Sequence, residues 1–123
     1  MYKQIFTYTD YNGVERKEEH YFNLTKSEIV KMQVSEEGGY AEKLQRAVDN
    51  NDGRVIMQVI DELIEKSYGV KSLDGKRFEK SEDITRAFKQ TPAYDELFME
   101  LVTDADKAAN FVNGILPEVP QQK

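Results

Sequence analysis

The spacing of apolar residues changes period several times along the chain, and each change marks an element. Residues 2–11 and 14–22 carry aromatic and β-branched side chains (Tyr2, Ile5, Phe6, Thr7, Tyr8, Thr9 and Tyr11, then Val14, Tyr21 and Phe22) on either side of Asn12-Gly13. That composition predicts two strands. Asn-Gly is the preferred pair for a two-residue hairpin turn, in which both positions need positive φ. The alternation is imperfect and leaves the buried face open. An isolated hairpin is marginal in water, so this one must lie on helices, pair with another strand, or pair with another molecule.

From residue 24 onward the period becomes helical. Thr25-Lys-Ser-Glu28 is a capping box, and Leu24 and Ile29 occupy the staple positions around it. The helix it opens carries Ile29, Val30 and Met32 and ends before Gly38-Gly39. A second helix is expected from about Tyr40 to Asp49, with Leu44, Ala47 and Val48 on one side. Asp52 is placed to cap a third, from about Arg54 to Ser67. Its Val55, Ile56, Val59, Ile60, Leu63 and Ile64 recur at three- and four-residue spacing, the stripe of a core helix. Gly69 is expected to close it. Residues 70–78 fold back over Asp74-Gly75 as a short second hairpin, near 70–79. Ser81 then caps a helix through about Lys89, with Ile84 and Phe88 inward.

The last stretch, 93–117, reads as two short helices. Thr91 caps the first, and Pro92 sits where a missing amide costs nothing. Thr103 is expected to open the second, with Asp104 and Asp106 at the positive end of its dipole. Gly114 suits a left-handed position just past its end, and Pro117 blocks continuation. The whole pattern predicts an α+β chain, mostly helical, with an N-terminal β-hairpin followed by about six short helices. The expected domain spans 1–117, and 118–123 form a polar, flexible C-terminal tail without periodicity.

Composition narrows the chemistry. A chain of 123 residues suits one domain that buries a core without staples. No cysteine is present, which removes disulfides, thiolate nucleophiles and cysteine-bound zinc. The net charge of −6, from 17 basic and 23 acidic residues, argues against a general phosphate-backbone binder. Met1 leads straight into Tyr-Lys-Gln-Ile-Phe without the features of a signal peptide. No apolar run approaches the roughly 20 residues that span a bilayer. The chain is therefore expected to be soluble, in the cytoplasm, with neither nucleic acid nor membrane as partner.

Candidate catalytic groups are sparse. His20 is the only histidine and lies beside Glu18 and Glu19, so it reads as a surface or edge-strand residue. The adjacent carboxylates, such as Asp61 and Glu62 or Asp104 and Asp106, read as solvated faces and caps. Asp49-Asn-Asn-Asp-Gly53 lacks the spacing and closing glutamate of a calcium loop. No glycine-rich phosphate loop is present. Tyr68, Lys71, Lys76, Arg77 and Phe78 have a composition suited to stacking on single strands, though a solvated turn explains them as well. No catalytic, cofactor or metal site is expected.

Three segments carry a family likeness. They are Glu96-Leu-Phe-Met-Glu-Leu-Val-Thr-Asp-Ala105 with Asn110-Phe-Val-Asn-Gly-Ile-Leu-Pro117, Lys66-Ser-Tyr-Gly-Val-Lys-Ser-Leu-Asp-Gly-Lys-Arg-Phe78, and Arg86-Ala-Phe-Lys-Gln-Thr-Pro-Ala-Tyr94. The chain resembles the tail assembly chaperones of long-tailed, siphovirus-type phages and prophages of Gram-positive bacteria. That resemblance implies a protein that binds the helical tape measure protein in the host cytoplasm. It further implies help in recruiting tail tube (major tail) subunits, and absence from the finished virion. Many such proteins are made in two lengths by frameshifting, and this chain would be the short product. The resemblance supplies no residue-level motif. Helical spacing alone nominates Tyr94, Leu97, Phe98, Leu101, Phe111 and Ile115 as partner-binding residues, with a place in the core as the competing role. An unpaired hairpin edge offers a route to a homo-oligomer. The alternative reading is a structural tail or connector subunit, for which a sheet larger than two strands would be expected.

Overall fold

The computed structural model describes residues 1–35 and 39–117, with the side chains of 32–35 and 39–41 outside the description. Residues 36–38, with Gly38 at the expected end of the first helix, and the tail expected over 118–123 fall outside these residues. In order the elements are β1 (Tyr2–Thr9), β2 (Glu15–Phe22), α1 (Lys26–Ser35), α2 (Gly39–Asp49), α3 (Gly53–Ser67), β3 (Tyr68–Lys71), β4 (Phe78–Glu79), α4 (Glu82–Lys89), α5 (Pro92–Thr103) and α6 (Ala105–Ile115). The fold is α+β with six helices, an N-terminal hairpin and a later short strand pair.

The four strands form one antiparallel sheet in the order β1-β2-β3-β4. Tyr21 and Phe22 pair with Gly69 and Tyr68, so the first hairpin is extended by a strand from the same chain. Tyr2, Phe6, Phe22 and Tyr68 point from the sheet into the helices. There they meet α3 (Val59, Ile60, Leu63, Ile64), α4 (Phe88), α5 (Leu97, Leu101) and α6 (Phe111, Ile115) in a single core. The core is strongly aromatic. Tyr68 stacks on Phe88 at 4.1 Å between centroids, and Phe22 meets Phe111 edge-on at 5.4 Å.

Caps set the helix starts much as their local chemistry dictates. Thr25 and Glu28 exchange both bonds of the capping box, at 2.8 and 3.2 Å. Asp52, Ser81 and Thr91 accept from the amides of Val55, Ile84 and Tyr94. Asp104, not Thr103, caps α6, accepting from the amides of Asp106 and Lys107. Thr103 is the last residue of α5 and donates its hydroxyl back to Met99 O at 2.6 Å. A carboxylate that reaches two amides outcompetes a hydroxyl that a preceding carbonyl can capture.

Three glycines act otherwise than expected. At Gly13 the turn has three residues, not two. Gly13 N–H donates to Asp10 O, Asp10 N–H donates to Val14 O, and Gly13 alone has positive φ, at 81°. This is a type I turn closed by a left-handed residue. Gly69 does not end α3 but lies in β3, where an added Cβ would sit 2.6 Å from the Phe78 ring and 2.9 Å from Glu79 O. Gly114 lies inside α6, without positive φ, because the Tyr2 ring rests against its Cα. Both positions need glycine for close approach, which is a tertiary requirement.

A candidate partner-binding surface

The six nominated residues separate by depth. Leu97, Leu101, Phe111 and Ile115 are fully buried in the core between sheet and helices. Tyr94 and Phe98 are half-buried at its margin. Helical geometry explains the split. Ala93, Leu97 and Leu101 repeat every four residues on the inward line of α5, and Tyr94, Phe98 and Val102 repeat one residue later, along the rim. Met99, half exposed, widens the rim toward solvent.

The rim is held in place by charge. The Tyr94 hydroxyl donates to Asp61 on α3. Lys89 Nζ on α4 bridges Asp61 at 3.1 Å and Glu65 at 2.5 Å, and lies 5.6 Å from the Tyr94 ring centroid. Phe98 stacks beside Tyr94 at 5.9 Å and 29°. Burial, followed by the Asp61 carboxylate, drives the Tyr94 phenol well above its ordinary range. Burial alone would lower the Lys89 ammonium, but its bonds to Glu65 and Asp61 outweigh that and raise it. Asp61, expected on a solvated face, is half-buried and works as a tie between three helices.

His20 also departs from expectation. The imidazole turns to the helix side of the sheet and lies against Phe6, Tyr68 and Phe88, with Nδ1 3.0 Å from Tyr68 Oη and Nε2 3.2 Å from Glu18. Glu18 also accepts from Tyr8 at 2.7 Å. That bond, first of all, holds the Glu18 carboxyl below its usual range and pushes the Tyr8 phenol up to about 12. Burial, then the Glu18 charge, pushes Tyr68 up to about 12. The group is a polar seam in an aromatic core, with every member hydrogen-bonded.

The basic and aromatic set around residues 68–78 is divided between the two faces of the sheet. Tyr68 is buried in the core, Phe78 covers Gly69 on the opposite sheet face, and Lys71 lies over the Tyr21 ring at 4.2 Å. Lys80 has a structural role: its ammonium donates to Asn23 O, Lys66 O and Glu28, tying β2 and α1 to the end of α3. It also lines an open groove of about 830 Å³ between α1, α3 and α4, with Leu24, Lys31 and Arg86.

Among the described residues no helix is long and apolar enough to cross a membrane, and no three ligand-type side chains are gathered for a metal. What the surface offers is contact area: an aromatic rim braced by ion pairs, and an open sheet face and edge. Such features suit contact with other proteins on an α+β fold. The profile of the phage tail assembly chaperones matches residues 1–123, and the chain belongs to that family. No curated protein and no solved structure matches it significantly. Its general role is tail assembly, through interaction with tail proteins.

Proposed function

We propose that this chain binds amphipathic helices of the tape measure protein in the host bacterial cytoplasm, in a siphovirus-type phage or prophage of a Gram-positive host. It helps bring tail tube subunits to that complex and leaves before the virion is complete. The observation that carries this reading is the family match along the whole chain. The rim of α5 supports it. Tyr94, Phe98, Val102 and Met99 offer a ribbon of apolar surface along one helix, the shape that accepts a second amphipathic helix. Leu97, Leu101, Phe111 and Ile115 serve that contact from beneath, by fixing the rim. Many copies along one long partner make weak individual contacts sufficient. The role asks for no catalysis.

Co-expression with the tape measure protein tests the reading. Rescue of the partner's solubility and co-purification are expected, and Phe98→Ser should abolish both while leaving the circular dichroism unchanged. No rescue, with this chain present in purified tails, would instead support a structural tail or connector subunit. The four-stranded sheet gives that second reading its footing.

A further inference from the structure

The two strands of the hairpin are charged very unequally. Protected sheet edges are short, charged, bulged or interrupted by proline. Among the described residues β2 meets β3 only at Tyr21 and Phe22, and its remaining stretch, itself open on that side, is guarded by Glu15, Arg16, Lys17, Glu18, Glu19 and His20, whereas the edge strand β1 has Lys3 as its one charged side chain. β1 runs eight residues without proline and pairs with β2 residue for residue, so no bulge turns it aside.

The phase of the ladder fixes which backbone groups face outward. Asp10 N–H donates to Val14 O at 2.8 Å, which makes Asp10 and Val14 a hydrogen-bonded pair. Bonded and non-bonded pairs alternate along an antiparallel ladder. Tyr8, Phe6, Gln4 and Tyr2 therefore bond to β2, and Lys3, Ile5, Thr7 and Thr9 turn N–H and C=O away from it. The side chains of these four residues are exposed on the sheet face opposite the helices. Among the described residues, none of the four has a backbone bond to another segment.

We propose that this edge pairs with β1 of a second copy of the chain, antiparallel about a two-fold axis at Phe6. In that register Lys3 faces Thr9, Ile5 faces Thr7, and each outward-turned residue uses both backbone groups. Lys3 of each copy then stands opposite Thr9 and one residue from Asp10 of the other copy, so no like charges face each other across the seam. The strand is thus complementary to itself in the antiparallel sense. The result is a continuous sheet across two copies, whatever the helices bind.

Sedimentation of the full chain over a range of concentrations tests this. The expected mass is twice that of the chain, halved by Thr7→Pro with unchanged circular dichroism. Proline removes an outward N–H that β2 does not use, which an edge strand tolerates. Should Thr7→Pro fail to fold, Ile5→Lys gives the same test, because it sets like charges diagonally across the axis without touching the core. A wild-type chain of single mass at every concentration overturns the proposal, as does a dimer that survives the substitutions. A single-mass chain that instead takes a strand from another tail protein at β1 also overturns it.

Discussion

The terminal helices and the first hairpin make opposite use of their apolar residues. α5 and α6 contain a long apolar series, and most of it is spent inside: Leu97, Leu101, Phe111 and Ile115 are buried, and the rim at Tyr94, Phe98, Met99 and Val102 stays accessible. The hairpin has fewer large apolar residues and buries one side of itself, yet among the described residues it leaves a complete strand edge unpaired. Apolar density along a sequence therefore locates the core, while open hydrogen-bonding capacity locates the surface with most left to give. A helix satisfies its own backbone, whereas an edge strand satisfies only half of its own.

The sharpest way to break this comparison is to truncate in the helices. Phe111→Ala should cost about 3–5 kcal/mol by cavity formation, read as a lowered denaturant midpoint. A loss under about 1 kcal/mol would mean that the terminal helices are not spent on the core.

A smaller effect joins the two regions. Gly114→Ala removes a helix glycine and by propensity alone should stabilise by about 1 kcal/mol. The added methyl would press on Tyr2, whose ring is held between Phe22 at 6.2 Å and Phe111 at 5.2 Å and cannot swing aside. Overpacking wins, and a net loss of about 1–3 kcal/mol is expected. In the Tyr2→Ala background the same substitution should become neutral or favourable, and a thermal-melt double-mutant cycle measures the difference.

The smallest effect is set by pH. Tyr68 and Tyr8 are raised from 10.0 to about 12 in the folded chain. Below pH 10 both states hold these protons and the stabilisation is complete. Between pH 10 and about 12 the unfolded chain releases them first, so stability falls as pH rises. Tyr68→Phe should flatten that alkaline slope in denaturation curves taken at successive pH values. An unchanged slope would remove Tyr68 from the account.

Most of the element order was legible because its signals are local. Thr25 with Glu28, Asp52, Ser81, and Thr91 with Pro92 act on amides within one turn, so a short window contains all their physics. The α3 stripe was legible for the same reason. Gly69 and Gly114 were misread as helix endings because their constraint comes from the distant Phe78 and Tyr2 rings. His20 depended on strand order, which placed β3 beside β2 and so brought Tyr68 to the imidazole. The one-residue offset between Leu97 and Phe98 decides core against rim. It follows from how α5 is rotated on α3 and the sheet, a relation that spacing within α5 does not contain.

The contact between Tyr2 and Gly114 also has a meaning in time. It joins β1 to α6, and on the ribosome β1 is made about a hundred residues before α6. The hairpin emerges early, with the inner face of Tyr2, Phe6 and Phe22 uncovered, and its cover is complete only when α6 adds Phe111 and Ile115 to Phe88 of α4 and Leu97 of α5. Closing so long a loop is entropically costly, and folds built on distant contacts form slowly. Until then the nascent chain carries an aromatic sheet face of the kind that other unfinished chains can capture. The last helix thus acts as the step that ends this exposure.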